Sequence, residues 1–169
     1  MSAERREPQE VVEFARQNQV KMLDIRFTDL PGLWHHVSFP VKQLSESSFE
    51  DGFGIDGSSI RGWAAIHESD MLLIPDPTTC MMDPFMQIPT LVMIGDVIDP
   101  ITKQHYERDP RWIAKKAENY LKYSGVGDTA YFGAEAEFFI FDNIRFDQTQ
   151  NCGYYYRSEE RRVGKECRL

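Results

Sequence analysis

The sequence predicts an α+β fold. Three observations carry this expectation: an amphipathic helix opens the chain, alternating strands and turns fill it to about residue 100, and a second capped helix follows. Pro8 stands where a first helical turn tolerates proline, and Val11, Val12, Phe14 and Ala15 form a short apolar face that ends near Asn18. Leu23, Ile25 and Phe27 then alternate with Asp24, Arg26 and Thr28, the signature of a half-buried strand. Leu30-Pro31-Gly32 supplies a turn, and residues 33–39 return as the second strand of a hairpin.

Four Asp-Pro pairs, at 76–77, 83–84, 99–100 and 109–110, punctuate the middle, with short apolar strands expected at 71–75 and 90–98. Asp109 is a good N-cap with Pro110 in the first helical position. Ile113, Ala117, Tyr120 and Leu121 share a face, and Gly125 stops that helix.

At 169 residues, 41% hydrophobic and 12% aromatic, the chain has room for one domain, or one and the start of another, with ample material for a core. A net charge of −8 argues against nucleic acid, which needs a basic face. No apolar stretch is long enough to span a bilayer, and the first residues lack a signal peptide's apolar core. Cys80, Cys152 and Cys167 show no metal-ligand spacing, which fits a reduced, cytoplasmic setting.

The chemistry concentrates in two places. Residues 131–142 read as a strand that carries Glu135 and Glu137 on one face among aromatic and aliphatic neighbours. Two like charges kept from water there point to a divalent cation; an edge strand with its acids in solvent would read the same. The second place is residues 52–57, which match the Gly-x-Gly-x-x-Gly dinucleotide fingerprint letter for letter. No apolar strand precedes them and Gly62 cuts short any following helix, so the match is rejected. Asp56-Gly57-Ser58-Ser59 is expected instead as an exposed loop held by side-chain-to-backbone turns, with Trp63 beyond it as an anchor or as core. His35 and His36 lie on opposite strand faces and form no joint site; His67 and His105 fall in turns.

Several motifs in order now define a resemblance: Lys-Met-Leu-Asp-Ile-Arg-Phe-Thr-Asp at 21–29, Asp-Gly-Ser-Ser-Ile-Arg-Gly-Trp at 56–63, Glu-Ser-Asp-Met at 68–71, Arg-Asp-Pro-Arg at 108–111 and Glu-Ala-Glu-Phe-Phe-Ile-Phe-Asp at 135–142. From roughly Val11 to Tyr156 the chain resembles the amino-terminal third of bacterial type I glutamine synthetase. Ala134 and Ala136 stand where that family usually has proline.

The resemblance implies a helical segment at 1–15, a β-grasp domain at 16–101, a truncated start of a catalytic domain at 102–156 and a non-family, disordered tail at 157–169. It implies ATP-dependent formation of glutamine from glutamate and ammonium through γ-glutamyl phosphate. The implied metals are two Mg2+ or Mn2+ ions, with Glu137 helping to hold the one nearer glutamate and Glu135 the one nearer ATP. Asp56 matches the residue that handles ammonium and favours its loss of a proton, and Ser59 matches a neighbour of that site. Both would serve an adjacent subunit of a homo-dodecameric ring. Two other readings stay open: a γ-glutamyl ligase for another amine, and a non-catalytic β-grasp binding module.

Overall fold

The computed structural model describes residues 6–63 and 69–163, with backbone alone from 159. The chain divides into two compact units, one running to Asp128 and one beginning at Thr129. Helix α3, expected to open the catalytic part, therefore sits with the first unit.

In the first unit, α1 (Pro8–Gln17) starts with a capping box in which the Glu7 amide donates to Glu10 Oε2 at 2.8 Å, and Asn18 caps its other end. Strands β1 (Met22–Thr28) and β2 (Trp34–Pro40) form the expected hairpin. Its turn is clamped by Asp29, whose Oδ1 accepts from the Leu33 amide at 2.7 Å, while Gly32 takes a φ of +90°. A short helix α2 (Ser48–Asp51) leads into the four-residue β3 (Phe53–Asp56), followed by β4 (Asp70–Met82) and β5 (Thr90–Ile98).

These strands form one mixed sheet in the order β2-β1-β5-β4-β3, with β1 and β5 parallel and every other pair antiparallel. A mixed sheet with a parallel central pair is the β-grasp arrangement. Leu23, Ile25 and Phe27 of β1, Leu91, Met93 and Val97 of β5 and Leu73 of β4 build the core, which Val11 and Ala15 of α1 and Phe49 of α2 cover. Each fully buried aliphatic side chain contributes about 1.5–3 kcal/mol.

Strand β4 is longer than its apolar run suggested. The chain continues through Asp76-Pro77 by a bulge between Asp76 and Met81, where proline's missing N–H costs no ladder bond. The Thr79 hydroxyl accepts from the Ile94 amide at 2.8 Å and closes the gap.

Helix α3 (Pro110–Ser124) is capped as the sequence indicates: Asp109 accepts from the Arg111 amide at 2.9 Å, and Gly125 ends the helix at a φ of +69°. The apolar stripe does not become core, however, for Ile113 and Tyr120 remain 46% and 69% exposed. The helix is tied to the sheet by charge instead. Arg111 bonds Asp96 at 2.9 Å and also Asp76, and Lys115 bonds Asp96 at 2.5 Å. Burial raises the Asp76 carboxyl, yet bonds from Thr78 and Arg111 outweigh it and leave the group below its ordinary value. No helix among the described residues is long and apolar enough to cross a membrane.

The second unit is a hairpin of β6 (Phe138–Gln148) and β7 (Gly153–Val163). Two expectations are corrected here. Glu135 and Glu137 are not in a strand: Phe138 pairs with Val163 as the last rung of the ladder, and the small residues before it have no partner strand among the described residues. Nor are residues 157–163 disordered, since they form the second half of β7, where main-chain pairing needs no apolar period. Residues 164–169 and His67 lie outside the described residues.

Two outcomes are expected. Asp76 has a folded-state value below its unfolded one, so its contribution is complete above the ordinary carboxylate value of 3.8 and is lost as pH falls below it. Arg111→Leu should remove about 2 kcal/mol at neutral pH, read by urea unfolding, and flatten the acid limb of the stability profile. Deleting residues 157–169 should strip protection from the amides of 138–144 in hydrogen exchange and leave the first unit's core unchanged. Unaltered protection over 138–144 would show that β6 does not depend on β7.

Candidate functional site

Asp56 closes β3, a short edge strand that pairs only with β4, and so delivers its carboxylate to an exposed corner of the sheet. The apparent dinucleotide fingerprint is dismantled by the fold, because Phe53–Asp56 is itself the strand and no helix opens after it. The glycines answer to packing. Gly52 has a φ of +74°, and a Cβ there would meet Ile74 Cδ1 at 2.6 Å. A Cβ on the buried Gly57 would meet Met71 Sδ, also at 2.6 Å.

Beyond β3 the backbone makes one 3₁₀ turn, Gly57–Ser59, with Asp56 as its N-cap. Asp56 Oδ1 accepts from the Ser58 amide at 2.9 Å and the Ser58 hydroxyl at 2.6 Å, and Oδ2 accepts from the Ser59 hydroxyl at 3.2 Å. These bonds, led by the Ser58 hydroxyl, hold the Asp56 carboxyl below its ordinary value, so it is anionic at neutral pH. Asp70 stands directly across the strand pair, a second acid where like charges repel. The corner therefore combines a fixed anion with a negative neighbour, an arrangement suited to a small cation.

Sequence reasoning joined Asp56 to Ser59 and passed over Ser58, which makes the closer contacts. The Asp-x-Ser spacing was the available signal, since aspartate commonly bonds the backbone two residues on. Trp63 is core, 5% exposed, and packs against Phe27 at 5.4 Å and Tyr106 at 5.3 Å.

The histidines are accounted for separately. His35 Nε2 lies 2.8 Å from Asp29 Oδ2, and His36 Nδ1 lies 2.6 Å from Asp24 Oδ1. The second contact belongs to a polar cluster on the far face of β1, where Arg26 joins Asp24 at 2.9 Å to Asp83 at 2.5 Å.

Glu135 and Glu137 are exposed, and they belong to the other compact unit from Asp56 and Ser59. A divalent cation wants about six oxygen ligands. Among the described residues no group of three or more His, Cys, Asp or Glu side chains is placed to hold a metal, so these two carboxylates are an incomplete donor set.

The Asp56 geometry gives a direct expectation. Ser58→Ala removes one of the two donors to Oδ1, so the Asp56 carboxyl should titrate higher, towards its ordinary value, in carbon-detected NMR. Ser59→Ala, which removes the longer bond, should move it less. An Asp56 titration that does not respond to Ser58→Ala would contradict the assigned cause.

Residues 19–100 match the glutamine synthetase β-grasp domain and residues 107–167 the glutamine synthetase catalytic domain, a match that includes most of the tail expected to be foreign. The chain is 54% identical over 149 residues to glutamine synthetase of Microchaete diplosiphon, covering 88% of this chain and 32% of the relative. It is 52% identical over 148 residues to that of Aquifex aeolicus, with the same two shares. It thus spans about a third of the length of the curated relatives it matches. Among solved structures, a Plasmodium falciparum glutamine synthetase shares the fold with a TM-score of 0.72 at 24% identity, over 94% of this chain and 31% of that one. With two domain models matched in order and half of all aligned positions identical in the relatives, the chain belongs to the glutamine synthetase family.

Proposed function

We propose that this chain supplies the β-grasp half-site and the opening of the catalytic domain of a cytoplasmic glutamate–ammonia ligase. The observation that carries the reading is the Asp56 carboxylate, exposed at a sheet corner yet held in place by bonds from Ser58 and Ser59 that lower its titration from the ordinary value. In the proposed reaction the γ-phosphoryl group of ATP passes to the γ-carboxylate of glutamate, giving γ-glutamyl phosphate and ADP. Ammonia attacks the acyl carbon, and phosphate leaves with the C–O bonding pair.

Ammonium has no free lone pair, so it must lose a proton and become ammonia before it can attack the acyl carbon. A carboxylate held below its usual value binds a cation better than it takes a proton at rest. Asp56 is accordingly assigned to holding ammonium and to favouring loss of its proton, which yields the ammonia that attacks the acyl carbon. Ser58 and Ser59 orient the carboxylate, and nothing else in this corner is asked to do chemistry.

Divalent metal in this family would neutralise phosphoryl charge. Glu135 and Glu137 are proposed as two of its ligands, with the remaining donors in the length of the relatives that this chain does not span. The reading further takes Asp56 and Ser59 to serve a neighbouring subunit of a homo-oligomeric ring. A ligase for a different amine remains the second reading, and the Asp56 loop disfavours it because that loop matches the ammonium-handling form of the family.

The 169-residue chain alone should form no glutamine from glutamate, ATP and ammonium with magnesium or manganese. Turnover above a metal-only blank that survives repurification would overturn that expectation. In a whole-length enzyme carrying this segment, Glu137→Ala should abolish synthesis without unfolding the protein. Asp56→Ala should cut turnover and weaken ammonium use while ATP affinity stays nearly unchanged. Rings that mix Asp56→Ala subunits with Glu137→Ala subunits should regain activity at interfaces that join an intact loop to an intact catalytic domain. Verified mixed rings without recovered activity would place the loop in its own subunit's site.

A further inference from the structure

The corner that carries Asp56 is tied down from outside its own segment. Arg108, in the stretch leading into α3, donates from Nη1 to the carbonyl of Gly62 at 2.7 Å and to that of Trp63 at 3.2 Å. Gly62 sits at a φ of +82°, where the chain turns out of the loop. From there bonds run back towards Asp56: the Trp63 amide donates to the Ile60 carbonyl at 3.2 Å, and the Ile60 amide to the Gly57 carbonyl at 3.1 Å. Gly57 in turn donates to the Ser69 carbonyl at 2.6 Å, which pins the start of the turn to the residue before β4.

The same short stretch also holds the loop by packing. Tyr106, two residues before Arg108, lies against the buried Trp63 ring, and its amide donates to the Val97 carbonyl of β5 at 2.8 Å. Residues 106–108 are thereby anchored to the centre of the sheet and reach over to the far end of the Asp56 loop. Both bonds leave the same Nη1, whose N–H groups are permanently charged and fixed in the guanidinium plane, and so serve carbonyls on adjacent residues.

We infer that Arg108 is a positioning residue for Asp56: by gripping the Gly62 and Trp63 carbonyls it fixes the end of the loop whose beginning is the ammonium-handling carboxylate. The inference rests on the reading of Asp56 given above. Arg108 itself touches only main-chain carbonyls in this contact, so its effect on the reaction is indirect, through the placement of the carboxylate. A displacement of about 1 Å at a reacting group is enough to lower turnover markedly.

The test has two arms. In the 169-residue chain, Arg108→Gln should speed hydrogen exchange at the Ile60 and Trp63 amides about tenfold, the scale expected for losing a charge-assisted bond, with exchange in β1 and β5 unchanged. Arg108→Lys, which keeps a charged donor nitrogen without the planar guanidinium geometry, should restore part of the protection. In a chimera joining residues 1–156 to the remainder of the Microchaete diplosiphon enzyme, Arg108→Gln should raise the KM for ammonium several-fold and leave the KM for ATP in place. Faster loop exchange together with that split in KM supports the inference. Unchanged exchange at Ile60 and Trp63 overturns it. So does faster exchange with normal ammonium KM in a chimera where Asp56→Ala still weakens ammonium use, for the grip would then not position the carboxylate. If Asp56→Ala itself leaves ammonium use intact, the reading of Asp56 has failed and the inference falls with it.

Discussion

The parallel pairing of β1 with β5 is the constraint on which the first unit depends. Parallel strands cannot be joined by a tight turn, so the chain between them needs a long connection. That connection runs through β2, α2, β3 and β4, and it carries the Asp56 loop. Because β2 closes one side of β1 and β4 closes the far side of β5, β3 is left to the outer edge. The close approach of the central pair is visible at Gly95, where a Cβ would meet Ile25 Cγ2 at 2.9 Å. A larger residue there would push apart the two strands that set the positions of all the others.

Polar contacts then fasten what surrounds the sheet. Asp109 is 1% exposed, and its carboxylate accepts from the Arg111 amide of α3 and from the Val97 amide of β5 at 3.2 Å. Burial raises this carboxyl above its ordinary value, opposite in sign to Asp24 and Asp76. As pH rises from 3.8 through the raised value, Asp109 therefore loses stability, while the two lowered groups lose theirs as pH falls below 3.8. The three together favour a fold held by carboxylates tuned in both directions, with α3 joined to the sheet by charge where its apolar face is left open.

What the sequence made legible was local. The start of α1 at Pro8 and its end near Asn18, the caps of α3, the Leu30-Pro31-Gly32 turn and the alternation in β1 are each written within a few residues, and the structure has them all. The unforeseen features depend on residues far apart. Arg26 meets Asp83, Arg111 meets Asp76 and Arg108 meets Gly62, and no window of ten residues contains both partners. Glu135 and Glu137 show the reverse failure. Alternation in 131–142 suggested a strand, but a strand exists only where another pairs with it, and the ladder stops at Phe138 opposite Val163. Residues 157–163 lack apolar periodicity and yet are β7, because main-chain bonds to β6 take no account of side-chain type.

The Asp56 corner itself argues that it is half of a site. Ammonium presents four N–H groups, and a single carboxylate can accept no more than one or two of them while Ser58 and Ser59 occupy part of its capacity. Among the described residues, the side chains gathered at this corner are two acids and short hydroxyls, which fix a charge. A cation held here alone would keep most of its water and gain little, since an exposed charge pair is worth at most about 1 kcal/mol. In the proposed reading, the remaining acceptors and the exclusion of water come from a surface laid against the corner. An edge strand with a rigid turn is well suited to that, because it offers its charge at a fixed point without having to rearrange when the second surface arrives. In the proposed enzyme that surface is the catalytic domain of the neighbouring subunit, and the rigidity of the loop is what lets one chain complete the chemistry of another.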